Sequence, residues 1–306
     1  MAPTPQFVHL HLHSEYSLVD GLVRIKPLVQ ATAAKRMPAV AVTDQCNLFC
    51  LVRFYQAAVA AGIKPIAGSE LWVRNQDDAN QPHRLLVLVQ NRTGYLNLTK
   101  LISRGYLEGQ HLGMPQVEQA WVEAATAGLI ALSGGPHGNV ARALLAGHQD
   151  RAEALLDRWL EVFGDRYYLE LIRTGREHES EYLERCVELA AHKGVPVVAT
   201  NDVRFLDAED FEAHEARVCI HDGRTLNDPR RLRLYSAEQY LRTPQEMADC
   251  FADLPEALEN SVEIARRCNL ELDLGQSFLP DFPIPEGMTT ETFFAAESRQ
   301  GLEQRL

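Results

Sequence analysis

Apolar and polar positions alternate from Val8 to His13 within Phe-Val-His-Leu-His-Leu-His-Ser, residues 7–14, the pattern of a β-strand. Period-2 residues share a face, so His9, His11 and His13 are expected on one side and Leu10 and Leu12 on the other. Ile25, Leu28, Val29 and Ala33 then follow helical spacing, which Met37-Pro38 ends. Ala39 to Thr43 reads as a buried strand reaching Asp44, and Asn47 as the N-cap of a helix running to Ala61 and stopped by Gly62. A third strand, Ile63 to Ala67, leads through Gly68-Ser69-Glu70 to Leu71-Trp72-Val73, and residues 75–82 are a loop by composition. Further strands are expected at Leu85–Val89, Leu129–Leu132, Tyr167–Ile172 and Val195–Ala199. Helices are expected from about Thr93, at 139–146, at 150–163 and at Glu177–Lys193.

Strands separated almost everywhere by helices predict an α/β fold with a mostly parallel sheet. In a parallel barrel the working residues sit at the C-terminal strand ends. Those ends here carry His11 and His13, Asp44, Glu70, Ser133, Glu170 and Asp202. Neutral imidazole is a common metal ligand, and a His-x-His pair on a strand can grip one ion with both rings. The set fits a metal-assisted phosphoester or amide hydrolase.

The repeat stops near residue 207. Asp207 to Cys219 is helical and carries His214, residues 228–233 form a basic solvated turn, and Thr243-Pro244-Gln245-Glu246 is a capping box. Pro255 to Cys268 is a further helix. A proline-rich connector at 280–287 divides a domain over 1–275 from a segment over 276–306. The helix expected from Thr290 has no C-cap signal, so the natural chain is expected to continue past Leu306.

Net charge narrows the functions. With 30 basic against 42 acidic residues the chain carries −12, which argues against stand-alone binding to duplex DNA. Six scattered cysteines without a CxxC pair, no signal segment and no long apolar run point to a reducing cytoplasm and away from a membrane.

His11-Leu12-His13-Ser14 with Ser17-Leu18-Val19-Asp20-Gly21 resembles the first motif of the polymerase-and-histidinol-phosphatase (PHP) domain. Thr43-Asp44 with Asn47-Leu48, and Gly62-Ile63-Lys64-Pro65-Ile66 with Glu70, resemble the second and third. Thr93 to Leu98, Ile130 to Gly134 and Ala199 to Asp202 continue in order, so the resemblance covers essentially the whole chain, and it is to the PHP regions of proteobacterial replicative DNA polymerases. It implies a distorted (βα)7 barrel with a helical extension. It also implies that the polymerase aspartates, with their Mg, lie outside this chain, which should not polymerise DNA.

Metal-replete members hold as many as three ions on nine ligands. Carried over by position, His11, His13, Asp20, Glu70, His83 and Asp202 are present. Gln45 stands where the family has a histidine, Gly135 where it has a thiolate or imidazole, and Arg204 where it has a final histidine. Six ligands cannot fill three sites, and a permanent cation repels divalent metal. The resemblance therefore implies no firmly bound cofactor, or Zn or Mn below stoichiometry, with Arg204 bridging to the carboxylates instead. Two roles follow. The first is a degenerate barrel serving as scaffold and docking surface for the proofreading exonuclease (epsilon) subunit, meeting DNA only through the parent polymerase. The second is a residual metal phosphoesterase acting on pyrophosphate, a phosphomonoester or a DNA 3′ end.

Overall fold

The computed structural model describes residues 6–277 and 279–306. The chain divides into two compact units between Glu271 and Leu272. Its strands are β1 (Ala39–Val42), β2 (Lys64–Val73), β3 (His83–Val89), the short pair β4 (Gln110–His111) and β5 (Met114–Pro115), β6 (Leu129–Leu132), β7 (Tyr167–Ile172) and β8 (Val197–Thr200). In the first unit the helices are α1 (Ile25–Ala34), α2 (Leu51–Ala60), α3 (Arg92–Glu108), α4 (Gln119–Glu123), α5 (Asn139–Leu145), α6 (Gln149–Phe163), α7 (Glu179–Lys193), α8 (Phe211–His221), α9 (Pro244–Cys250) and α10 (Pro255–Arg267).

Six strands form one sheet in the order β1-β2-β3-β6-β7-β8. The fold is α/β, as expected, but the sheet is mixed. β1–β2, β6–β7 and β7–β8 pair in parallel, whereas β3 runs antiparallel to both β2 and β6. A parallel partner needs a crossover of a dozen or more residues, and residues 74–82 supply only a loop.

The segment at residues 7–13 lies between the two edges of this sheet and curls it into a barrel. On one side the Ala41 and Thr43 amides donate to the His9 and Leu12 carbonyls at 2.9 and 2.8 Å. On the other, His13 N donates to Val203 O at 2.9 Å and Val203 N to His11 O at 3.1 Å. Acceptors 9 and 12 are three residues apart while donors 41 and 43 are two apart, so the segment carries one extra residue, a bulge. The bulge reverses which side faces inward. Val8 and Leu10 pack inside the barrel with Ala39, Ala41, Ile66, Leu86, Ile130 and Leu132. Leu12 instead packs outward with Val40, Val42, Leu28 and Phe54. His9 therefore does not share a face with His11 and His13, contrary to simple alternation. It lies outside the barrel wall, its Nε2 2.8 Å from the Arg242 carbonyl.

α10 closes the N-terminal end of the barrel. Its Val262, Ile264 and Ala265, with the C-cap Cys268, join the interior cluster, and the Ser261 hydroxyl accepts from Val8 N at 3.0 Å. The opposite end stays open to polar side chains. In the second unit α11 (Thr290–Glu303) begins at a capping box between Thr289 and Thr292. No helix among the described residues is long and apolar enough to cross a membrane.

Candidate metal centre

Beyond the bulge, His11 and His13 face the barrel's open end, where the inward-facing residues of β2 and β7 supply Glu70 and Glu170. All four are buried. His11 Nδ1 lies 2.8 Å from Glu170 Oε1, which also accepts from the Thr200 hydroxyl at 2.7 Å. His13 Nδ1 lies 2.9 Å from Asp20 Oδ1. Each ring is thus held by a carboxylate on one nitrogen, the arrangement that orients a metal-ligating imidazole. The other nitrogens converge on Glu70, with His11 Nε2 3.6 Å from Oε1 and His13 Nε2 3.5 Å from Oε2.

Local chain geometry holds these groups in place. Asp44 accepts from both the amide and the hydroxyl of Ser14, at 2.6 and 2.7 Å, and so fixes the chain next to His13. Ser17 donates to Asp20 Oδ1 at 3.0 Å, and His214 Nε2 sits 2.9 Å from the Asp20 carbonyl. Gly21 passes so close to Ser14 that an added Cβ would lie 2.0 Å from its carbonyl oxygen.

His11, His13 and Glu70 each offer a ligand atom within 4.8 Å of the others. His11 Nε2, His13 Nε2 and Glu70 Oε2 are buried without a hydrogen-bond partner. Buried polar atoms normally find partners, and a single cation at this convergence would satisfy all three. These residues therefore fit one metal ion.

The rest of the mouth is arranged differently. Arg204 is fully buried between Asp20 and Asp202. Its Nη1 lies 2.5 Å from Asp20 Oδ2 and also abuts His13 Nδ1, and its Nη2 bonds to Asp202 Oδ1. Tyr235 OH donates to the same Asp20 oxygen at 3.2 Å. Asp202 receives two further bonds, from Arg176 Nη1 and Gln239 Nε2, both at 2.9 Å. Burial alone would push these carboxyls up, but Arg204, joined by His13 at Asp20 and by His11 and Arg176 at Asp202, outweighs it and holds both well below the ordinary carboxylate range. Glu70 is lowered against the same burial penalty, chiefly by Arg84, whose Nη1 is 3.4 Å from both of its oxygens. His11 is raised, because Glu170, Asp202 and Glu70 overcome its desolvation.

The structure does not bring His83 to this cluster. Glu70 faces Leu86 across the β2–β3 pair and Trp72 faces Arg84, so even-numbered residues of β3 point inward. His83, opposite Val73, points outward, and Arg84 takes the interior position. Gln45 pairs through its backbone with Glu70. Gly135 sits beside the cluster at φ +53°, but an added Cβ would meet Ile172 Cδ1 at 2.6 Å, so Ile172 fills the space a ligand would need. Four residues of the mouth escaped the motif reading: Arg84, Arg176, Tyr235 and Gln239. Tyr235 and Gln239 lie between α8 and α9 in a stretch without periodicity, which gives no sequence signal.

A small α/β barrel with a buried histidine–carboxylate centre at its open end defines the class. Residues 9–174 match the family profile described as PHP domain, more than half of the chain, and the chain belongs to that family. Over 303 residues it is 56% identical to DNA polymerase III subunit alpha of Pseudomonas aeruginosa, and over 302 residues 51% identical to the protein of that name from Escherichia coli K12. Each alignment covers 99% of this chain and 26% of the relative, so the chain spans about a quarter of their length. Among solved structures, an amidohydrolase from Chromobacterium violaceum aligns with a TM-score of 0.46 at 14% identity, over 69% of this chain and 96% of that one.

Proposed function

We propose that this chain is the PHP region of a bacterial replicative polymerase of the DNA polymerase III alpha type. In this reading it works in the cytoplasm as a structural and docking domain of the polymerase III holoenzyme, with its ancestral metal centre largely converted to internal ion pairs. Arg204 carries the reading. A fully buried guanidinium bridging Asp20 and Asp202 occupies the charge role of an ion, and Arg84 does the same for Glu70. Asp20, Glu70 and Asp202 are each paired with a guanidinium and Glu170 with the His11 ring, so the mouth is largely ion-paired internally, although Arg176 is shared between Asp202 and Glu179. DNA contact and Mg-dependent nucleotidyl transfer belong to the remainder of such a polymerase, and the proofreading exonuclease (epsilon) subunit is the proposed docking partner. Two measurements test this. Protein purified without chelator or a metal-binding tag should hold well under one ion per chain by elemental analysis; two or three ions would overturn the reading. The purified exonuclease subunit should co-elute with the chain in size-exclusion chromatography, and separate elution at micromolar concentration would remove the docking role.

A second reading rests on the three unpartnered atoms of His11, His13 and Glu70. Three protein ligands with an open position is the complement of a catalytic site. A bound Zn or Mn would supply Lewis-acid chemistry to a phosphate ester there, while Glu170 and Asp20 fix the two rings. Binding competes with protons for both rings, and the raised His11 sharpens that competition, so occupancy should fall as pH is lowered. Mn²⁺- or Zn²⁺-dependent phosphate release that disappears in His13→Ala would favour this reading. Release that survives the substitution comes from a contaminant.

A further inference from the structure

A second polar cavity lies on the outer side of β3, away from the barrel mouth. It measures about 330 Å³ and sits between the 74–82 loop and the corner joining α5 to α6. Its walls include Arg74, Arg142, Arg151, His83 and His148, with Asp77 as the facing carboxylate. In a chain of net charge −12 this is a local reversal of sign.

Arg142 is the unusual member. Its guanidinium is partly exposed on the cavity wall, where Nη1 donates to the Gln81 carbonyl at 2.8 Å. No carboxylate among the described residues pairs with it within 4.0 Å, the distance at which the other wall arginines are paired: Arg151 reaches Asp77 at 2.6 Å and Arg74 reaches Glu118 at 2.9 Å. A partly buried cation whose counter-charge is only the more distant Asp78 is stabilised when an anion joins it. His83 adds an independent sign, since its Nδ1 is buried with no hydrogen-bond partner. α6 also starts at the cavity edge, where its N-cap His148 makes no side-chain cap, so the positive end of the helix adds to the field.

We propose that this cavity binds a phosphoryl dianion, free or at the end of a small monoester, with Arg142 as its principal ligand. A tetrahedral dianion can take two parallel N–H bonds from a guanidinium and leave further oxygens for Arg151 and His83. The volume is at the small end of ligand pockets, which suits one phosphoryl group with a small substituent rather than a stretch of duplex. The site does not depend on the metal centre, because β3 separates the two.

Calorimetric titration of the whole chain with inorganic phosphate and with phenyl phosphate, at constant ionic strength in chloride, tests it. Saturable binding is expected. Arg142→Gln should weaken it at least about tenfold, which is about 1.4 kcal/mol, with a thermal midpoint close to that of the wild type. Arg151→Gln, an exposed rim position, should weaken it by a smaller factor and decides the matter should Arg142→Gln fail to fold. Binding of both ligands identifies a monoester site, and binding of phosphate alone a site for the free anion. Absence of saturation in the wild type overturns the proposal. So does binding that both variants retain, which would move the anion to Arg84 and Arg176 at the barrel mouth.

Discussion

Replacing Arg204 by methionine tests whether this side chain stands in for an ion. Methionine keeps much of the volume and removes the charge, leaving Asp20 and Asp202 buried with their main cation gone. Removing one partner of a buried ion pair typically costs about 3–5 kcal/mol. Two pairs share this cation, and Asp202 keeps Arg176 and Gln239, so the two losses overlap rather than add. The expected deficit at pH 7 is about 3–5 kcal/mol, within the stability of an ordinary domain. Its pH dependence carries the diagnosis. In the wild type both carboxyls are depressed, so their contribution is complete above the unfolded value near 4 and disappears only as pH falls through the much lower folded values. Without Arg204, desolvation dominates at Asp20, whose folded pKa then rises above the unfolded value. Protonation relieves that buried charge, so the deficit should be largest at pH 7–8 and shrink steadily below about pH 5. Urea denaturation of both proteins at pH 8, 7, 5, 4.5 and 4 measures the difference directly. A deficit under about 1 kcal/mol at pH 7, or one of constant size across the series, would refute an ion-substituting role. Added Mn²⁺ should also raise the variant's midpoint more than the wild type's, because only the variant has lost its resident cation.

Three further outcomes follow from the fold. His9 is lowered to about 4 by burial, so above pH 6.5 its ring is neutral in both folded and unfolded chains, and stability falls as pH drops from 6.5 towards 4 because only the unfolded chain takes up the proton. The shift corresponds to about 3 kcal/mol, and His9→Gln should flatten the stability slope in that window, as read from urea midpoints. Gly21→Ala would drive its Cβ into the Ser14 carbonyl and should cost at least about 2 kcal/mol; a thermal midpoint within a degree or two of the wild type would contradict the close approach. Ser261→Ala strips the acceptor from the buried Val8 amide and should cost about 1–3 kcal/mol, measurable by chemical denaturation, whereas a neutral result would mean that α10 does not hold the barrel floor through this bond.

Strand positions were legible where a short apolar run sits between turn signals. The expected 129–132 and 167–172 coincide with β6 and β7, and β8 is displaced by only one or two residues. Strand direction was not legible at β3. Leu85 to Val89 is apolar throughout, because both faces of the strand are covered, and such a run carries no alternation to reveal direction or facing. The same uniformity hid the choice between His83 and Arg84. With both flanking a featureless run, only the pairing of Trp72 with Arg84 decides which one turns inward.

The opposite failure occurred at the first strand, where alternation was clear and yet misled. Residues 8–13 alternate without a break, but a one-residue slip between His9 and Leu12, forced by simultaneous pairing with β1 and with Val203, sends His9 outward and His11 and His13 inward. No local signal in the sequence encodes that slip, because it arises from closing the barrel on two partners at once. The slip also makes the centre. Without it, Val8, Leu10 and Leu12 would all face inward, and neither imidazole could reach Glu70. The two histidines and their supporting carboxylates thus depend on a feature of the whole barrel. Arg204, which follows the end of β8, is instead a single side chain held between Asp20 and Asp202. A substitution at position 204 can therefore change the charge between Asp20 and Asp202 while the frame that orients His11 and His13 stays intact.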